Sequence, residues 1–403
     1  MADQVPIASG ETPPRAFAPR LSLSFAGAFL SVGILLPYFP IWLKSLDLAD
    51  WQVGVLLSLP MLLRVVTTPI IAARADKARD RADVLLLMSV LCLAATGLLF
   101  VTDSFWPLLA VVLVQAVFAA PQVLLIDAIT ITGVRRYRTD YARVRLWGSL
   151  SFIVANLVGG ALIARHGATV VLPLLAVSYV IMIGVSIATP RVGKPRRPSP
   201  LAGLASGGGS SRKLLRPDLL LVLSGGTLIN ASHAMLYGFS AIYWSDLGYS
   251  GTTIGILWAL SVVGEVALFQ FATRLIGRVP VRTIILIGGL VAAIRWLAFP
   301  LDFGLAWYVG LQLLHAASFA AIHLAQQRLI LERAGEEQEA AAQGLLFFLN
   351  GTGMGTFMLL SGYLFDAHGA PSFTVMAIVA LSGIVCHDIG HRLAIRRRPN
   401  DAA

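Results

Sequence analysis

Twelve long apolar segments, each almost free of charged residues, dominate this chain of 403 residues. Each segment is close to the ~20 residues that a helix needs to cross the ~30 Å hydrocarbon core of a membrane. Charged residues make up 13% of the chain, whereas a soluble domain carries roughly 25%. The sequence therefore predicts an all-α membrane protein.

The predicted spans are numbered helix 1 to helix 12 in chain order. The first six lie near residues 21–43, 51–73, 83–102, 106–130, 143–165 and 169–189. The second six lie near residues 219–244, 252–272, 282–300, 304–325, 342–364 and 371–391. Because the number of spans is even, we expect both termini on the same side of the membrane.

A polar connector divides the 12 transmembrane helices into two six-helix bundles. It contains several prolines and the run Gly207-Gly208-Gly209-Ser210-Ser211, a composition typical of flexible linkers. Two six-helix halves around a central substrate site are typical of secondary transporters built from repeats. The predicted organisation is an N-terminal tail 1–20, a first bundle 21–189, the connector 190–216, a second bundle 217–394 and a tail 395–403.

The basic residues are distributed very unevenly. Net charge is +10, and all but four of the 31 Lys and Arg residues lie on the side of the two termini. The exceptions are Lys44, Arg165, Arg64 and Arg295, the last two inside spans. The positive-inside rule therefore predicts cytoplasmic termini in a bacterial-type inner (plasma) membrane. Basic residues at helix ends face lipid head groups, so we expect membrane lipid as a partner and no nucleic acid.

Polar and aromatic side chains recur on one face of helix 7 and one face of helix 10. Their spacing of mostly three and four residues places each set on a single helical face. The pattern indicates either a polar seam between packed helices or the wall of a water-filled cavity, which we favour because both helices show it. The two sets are Asn230, His233, Tyr237, Ser240 and Trp244, and Gln312, His315, Phe319, His323 and Gln326.

Glu265 lies well inside helix 8, among valines and alanines. An unpaired ionised carboxylate in such surroundings is costly. Glu265 is therefore predicted either to form a fixed bridge with a cation such as Arg295 or to be neutralised by a proton, which would serve ion coupling. Asp127 and Arg145 lie near the ends of their spans. Two roles are compatible with this position: an ion pair at the membrane interface or a pair of residues that binds the substrate. Arg64 lies near the middle of helix 2, with no partner evident in the sequence.

The sequence lacks the G-x-x-x-x-G-K-[ST] loop that cradles nucleotide phosphates, so an ATP-driven pump is not expected. No assembled set of nucleophile, base and orienting residue is evident either. We therefore predict a secondary transporter, not an enzyme, that acts as a monomer on a small molecule without a cofactor or metal. A membrane-embedded enzyme and a channel are the rival classes.

The loop between helices 2 and 3 resembles the signature of the major facilitator superfamily, G-x-x-x-D-[RK]-x-G-[RK]-[RK]. Asp76 and Lys77 match it, which implies a role for them in a gating loop. Ala72 and Arg79 stand where glycines are usual, and Asp80 stands where a basic residue is usual.

Four further stretches resemble the oligosaccharide–proton symporter branch of that superfamily, especially its phenylpropionate permease-like members. The likeness extends from helix 1 to helix 12 and implies the two-bundle major facilitator fold. The stretches are Tyr141–Ser149, Ser232–Trp244, Gly255–Glu265 and Leu313–Ala325.

The resemblance also implies site residues. By position, Asp127 and Arg145 resemble the branch's substrate-binding pair, and Glu265, Arg295 and His315 resemble its proton-coupling residues. Two departures stand in helix 10: Ser318 replaces the usual proton-carrying Glu, and Gln312 replaces the usual Lys. Glu265 is therefore the predicted proton carrier, with the proton as coupling ion. The full set of predicted substrate-binding residues is Asp127, Arg145, His233, Tyr237, Trp258, Gln312, His323 and Tyr38.

The substrate class follows from the same resemblance and from aromatic residues on the predicted cavity wall. Tyr38, Tyr237 and Trp258, together with the phenylpropionate permease-like motifs, favour proton-coupled uptake of an aromatic acid. A sugar or a nucleoside is the alternative, and a drug or metabolite efflux substrate is also compatible with the sequence.

Overall fold

The computed structural model describes residues 12–194, 216–333 and 338–397, and within them twelve helices are long and apolar enough to cross a membrane. This confirms the predicted all-α membrane protein. The first six helices are Phe17–Lys44, Asp50–Lys77, Arg81–Leu99, Phe105–Tyr137, Tyr141–His166 and Val171–Ala188. Helices 7 to 12 are Pro217–Asp246, Gly251–Leu275, Val281–Ala298, Leu305–Arg333, Glu339–His368 and Phe373–Arg397.

The predicted connector lies mostly outside the described residues, which omit 195–215. Residues 1–11 and 398–403 of the two predicted tails lie outside them as well. The boundaries of the tails, bundles and connector therefore stay predictions.

Polar residues between the spans set where several helices begin. Asp80 accepts a hydrogen bond from the backbone N–H of Ala82 at 2.9 Å at the start of helix 3. Asp140 and Ser250 cap helices 5 and 8 in the same way. Such caps satisfy N–H groups that have no partner within the helix. Helix 5 ends at His166, and the Gly167 that follows it has a φ of 76°, a positive value that glycine adopts readily.

Helices 7 and 10 are interrupted near their middles. Helix 7 consists of Pro217–Ala231 and Ala234–Asp246, separated by a turn at Ser232 and His233. Helix 10 contains a π-helical segment at Ala316–Ala320 between two α-helical parts. Both interruptions frequently mark functional sites in membrane transporters. Here they bring polar side chains of helices 7 and 10 toward Arg295 of helix 9.

The two halves of the molecule meet closely at one membrane face, which we call the opposite face because the termini lie on the other. A Cβ atom added to Gly54 of helix 2 would lie 2.5 Å from the Cα of Gly362 of helix 11. A Cβ added to Gly251 of helix 8 would lie 2.7 Å from the carbonyl oxygen of Gly160 of helix 5. The backbones of helices 2 and 11, and of helices 5 and 8, therefore touch directly, and only glycine permits this approach.

At the terminal face, where helix 1 begins and helix 12 ends, the two halves diverge around a cavity of ≈ 720 Å³. Helices 2 to 5 of the first half line it, together with helices 7, 10 and 11 of the second half. The cavity extends from Arg64 and Asn230 to residues near helix ends, such as Arg81 and Gln343. The described structure is thus closed at the opposite face and hollow toward the terminal face.

Candidate functional site: a buried polar network beside the central cavity

Arg295 is the centre of a polar network that joins helices 9 and 10. Its side chain is fully buried, at 0% exposure. Its Nε donates a hydrogen bond to the carbonyl oxygen of Leu311 at 2.8 Å. Its Nη1 donates to the Ser318 hydroxyl at 2.7 Å, and its Nη2 donates to the Gln312 Oε1 at 3.3 Å. A buried guanidinium requires such partners, because an unpaired charge in this environment is severely penalised.

Two histidines also face Arg295, and their hydrogen-bond partners fix their tautomers. The Nδ1 of His233 lies 3.1 Å from the carbonyl oxygen of Ile229, which can only accept, so His233 carries its proton on Nδ1. Its Nε2 is then free to accept from Arg295 Nη1 at 3.2 Å. His315 Nδ1 also faces this Nη1, at the longer distance of 3.5 Å. Both imidazoles are therefore neutral, since each presents a lone pair to the cation.

Glu265 contacts His315 rather than Arg295. Its Oε1 lies 2.9 Å from His315 Nε2, and the side chains are 21% and 4% exposed. Because His315 Nδ1 faces the cation and Nε2 faces the carboxylate, we assign the ring proton to Nε2, which donates it to Glu265. No direct ion pair joins Glu265 to Arg295 in the described part of the chain; the two opposite charges are linked through one neutral ring.

Aromatic rings cover one side of this network. Tyr237 stacks on Trp258 with ring centroids 5.8 Å apart. Phe319 lies nearly parallel to His315, with centroids 5.2 Å apart and an interplanar angle of 12°. Of these three rings, Phe319 is the one that lines the cavity, and His315 stacks on it.

In the first half of the molecule, Asp127 lines the cavity and accepts a hydrogen bond from the Tyr141 hydroxyl at 2.9 Å. Arg145 lies over the ring of Phe29, with its Cζ 4.2 Å from the ring centroid, a favourable cation–π contact. Arg145 is also near enough to Asp127 and Glu265 for a Coulombic interaction with each. Of the two residues predicted from helices 4 and 5, Asp127 therefore lines the cavity, and Arg145 lies close to it without being among the cavity-lining residues.

The remaining predicted residues occupy several places. His323 lines the cavity. Gln312 is buried and donates to the carbonyl oxygen of Leu257 at 3.1 Å while accepting from Arg295. Tyr38 is buried, and its hydroxyl donates to the carbonyl oxygen of Asn156 at 2.5 Å. Neither Gln312 nor Tyr38 is among the residues that line the cavity.

The predicted gating loop lies at the terminal face. Asp76 forms a salt bridge with Arg81 at 2.6 Å, and both side chains are largely buried. Lys77 is exposed. Asp80, which departs from the family signature, accepts a hydrogen bond from the backbone N–H of Gly193 at 2.6 Å. This residue therefore ties the loop to the segment that follows helix 6.

Two members of the site were not among the predicted substrate-binding or proton-coupling residues, although Asn230 belongs to the predicted helix 7 stripe. Ser318 bridges Arg295 and His233, and it lies 3.1 Å from the His233 Nε2. Asn230 lines the cavity and donates to Gln326 at 3.0 Å. The helix 7 spacing contained the signal for Asn230. Ser318 was noted only because it replaces the usual Glu of the symporter branch, and that departure did not predict its contacts with Arg295 and His233.

Comparison with known proteins agrees with this architecture. The model of the MFS_1 like family matches residues 20–375, which is most of the chain. The chain belongs to this family. The probable 3-phenylpropionic acid transporter of Escherichia coli (strain K12) is 32% identical over 368 residues, covering 90% of this chain and 94% of that protein. The maltose permease of Geobacillus stearothermophilus is 29% identical over 352 residues, covering 84% and 85%.

Solved structures show the same fold for this MFS_1 like protein. The nucleoside transporter NupG has a TM-score of 0.75 at 16% identity and covers 94% of this chain and 98% of its own. A bacterial homolog of the human lysosomal transporter Spinster has a TM-score of 0.72 at 14% identity, covering 95% and 98%. The predicted major facilitator fold and the prediction of a secondary transporter rather than an enzyme are confirmed.

Proposed function

We propose that this MFS_1 like transporter takes up a small organic acid, such as an aromatic acid of the phenylpropionate type, together with a proton. It would work as a monomer by alternating access in a bacterial-type inner membrane, with both termini cytoplasmic. The observation that carries the proposal is the contact of 2.9 Å between Glu265 and His315, which is linked through the imidazole to buried Arg295.

Charge balance gives a physical reason for coupling. With Glu265 ionised, the network holds one anion, one cation and neutral imidazoles. Proton uptake by the carboxylate leaves the positive charge of Arg295 without compensation. A monovalent anion roughly 8 Å away would then gain about 2 kcal/mol at an effective dielectric constant of ~20. Proton and anion would therefore favour each other's binding by the same amount.

The proposed substrate site lies between this network and the first half of the protein. Asp127, Arg145 and His323 would offer polar contacts, and Tyr237 and Trp258 would pack against an aromatic ring. His233, Gln312 and Tyr38 would support the site from their buried positions. The relative from Escherichia coli, named as a 3-phenylpropionic acid transporter, supports this substrate class. The maltose permease relative supports a sugar as the second candidate.

Replacing Glu265 with Gln tests the coupling. In proteoliposomes with an imposed proton gradient, we expect Glu265→Gln to abolish uphill accumulation of 3-phenylpropionate while equilibrium exchange continues, because the amide mimics the protonated carboxyl group. Glu332→Gln is the matched control, since Glu332 is an exposed acid near the end of helix 10. Accumulation by Glu265→Gln at the wild-type level would refute the proton site. Accumulation of maltose but not of 3-phenylpropionate by the wild type would favour the second candidate.

A further inference from the structure

Arg64 is a cation at mid-depth in the membrane that the network around Arg295 does not use. It lies within helix 2, Asp50–Lys77, about 20 Å from either end at 1.5 Å per residue. It lines the cavity. Its Nε is buried and has no hydrogen-bond partner among the described residues. Ionisable groups at this depth usually face a water-filled cavity and have a function.

Helix 11, which packs on helix 2 beside Arg64, has no carboxylate at this depth. Helix 11 packs on helix 2 through Gly351 and Gly355, which lie against Val65 and Leu62. Helix 11 has no acidic residue between Glu339 and Asp366 at its two ends. Arg64 thus lines the cavity without an acidic side chain from the middle of helix 11 to neutralise it.

The acidic residues that do line the cavity have other partners. Asp76 is bound to Arg81 at 2.6 Å. Asp127 accepts from Tyr141 at 2.9 Å and interacts with the charge of Arg145. Neither carboxylate forms an ion pair or a hydrogen bond with Arg64 in the part of the chain that the structure describes.

The other cations near the cavity are also engaged. Arg295 is fully buried and has already donated its hydrogen bonds within the network. Arg145 lies over the ring of Phe29 and, unlike Arg64, is not among the residues that line the cavity. Arg81 is held by Asp76. Among the described residues that line the cavity, Arg64 is therefore the cation whose donors remain for a ligand.

We infer that Arg64 binds the carboxylate of the transported substrate. This inference rests on the proposed function and specifies the substrate as a monovalent carboxylate. A guanidinium forms two parallel hydrogen bonds with a carboxylate, which supplies both affinity and orientation. The rest of the substrate would lie toward Phe319, the aromatic residue of the network that also lines the cavity. The charge of Arg64 would then be neutralised only when the substrate is bound.

A comparison of charged and neutral ligands tests this assignment. The probes are 3-phenylpropionate and its uncharged amide, 3-phenylpropanamide, and the readout is Kd by calorimetry with purified protein in nanodiscs at neutral pH. The variants are Arg64→Gln, Arg64→Lys and, as a matched control, Arg282→Gln. Arg282 pairs with Asp388 on the exterior and does not line the cavity. Size-exclusion profiles establish that each variant is folded.

We expect the wild type and Arg282→Gln to bind the acid about 10- to 100-fold more tightly than the amide, the effect of one charge-assisted contact. Arg64→Gln should bind both probes with the affinity that the wild type has for the amide, and Arg64→Lys should keep part of the preference for the acid.

A preference for the acid that persists unchanged in Arg64→Gln would overturn the role of Arg64 and leave the proposed function intact. Equal wild-type affinity for both probes would also overturn it. Binding of neither probe to the wild type would refute the aromatic-acid substrate and, with it, this inference.

Discussion

Replacing Gly54 with alanine tests how closely the two halves must approach at the opposite face. The added Cβ would lie 2.5 Å from the Cα of Gly362, whereas non-bonded carbon atoms are comfortable at about 3.5–4.0 Å. Helices 2 and 11 would therefore have to separate by about 1 Å or more. The obstacle is backbone and not a flexible side chain, so it cannot rotate away.

The expected cost of this overlap is about 1–3 kcal/mol, the usual penalty of overpacking. The penalty applies to the state that is closed at the opposite face and is relieved when that face opens. If the protein alternates between these states, Gly54→Ala should shift the population toward the open one by about 5- to 150-fold.

Distances between spin labels can measure this shift. Labels at Asp103→Cys and His368→Cys place one probe on each half at exposed positions of the opposite face, with Cys92 and Cys386 replaced by alanine in every variant. We expect Gly54→Ala to increase the longer-distance population. Gly184→Ala is the control, because a Cβ there would meet no atom within 4 Å. Distance distributions of Gly54→Ala that match those of the control would refute the argument that backbone contact limits closure.

Two further predictions concern the network and the membrane orientation. Arg295→Gln should lower the free energy of unfolding in micelles by about 3 kcal/mol, because it removes the hydrogen bonds to Leu311 and Ser318 and leaves buried acceptors without a donor. An unchanged denaturation midpoint would show that the network contributes little to stability. The excess of basic residues on the terminal face predicts a cytoplasmic C-terminus. A green fluorescent protein fused after Ala403 should therefore fluoresce, and an alkaline phosphatase fused there should be inactive. The reverse result would show that the topology is inverted.

The sequence predicted the number and order of the spans well, since lipid imposes a simple length and polarity requirement on each helix. Their ends were less predictable. Helix 4 was predicted to end near residue 130 and continues to Tyr137. Its last turn carries Arg135 and Arg136, which interrupt the apolar run but not the helix. Hydrophobicity detects the part of a helix that lies in lipid, while the backbone continues past the membrane boundary.

Within the site, residue types were predictable and partners were not. Glu265, Arg295 and His315 were all singled out from the sequence, and the structure brings them together. Which of them touch depends on the reach of side chains across three helices and on the π-helical segment of helix 10. The π-helical segment is stabilised by packing against neighbouring helices. A sequence pattern with the regular period of 3.6 residues therefore cannot indicate it.

The network around Arg295 lies entirely within one half of the protein. Its cation, its carboxylate, both imidazoles and Ser318 belong to helices 7 to 10. A rocking motion of one half against the other would carry this group along as a single unit, with every internal bond preserved. The timing of protonation would then depend on when water reaches Glu265 from either side of the membrane. A leak of protons would indicate loose contacts between the two halves, and not the loss of hydrogen bonds within the network.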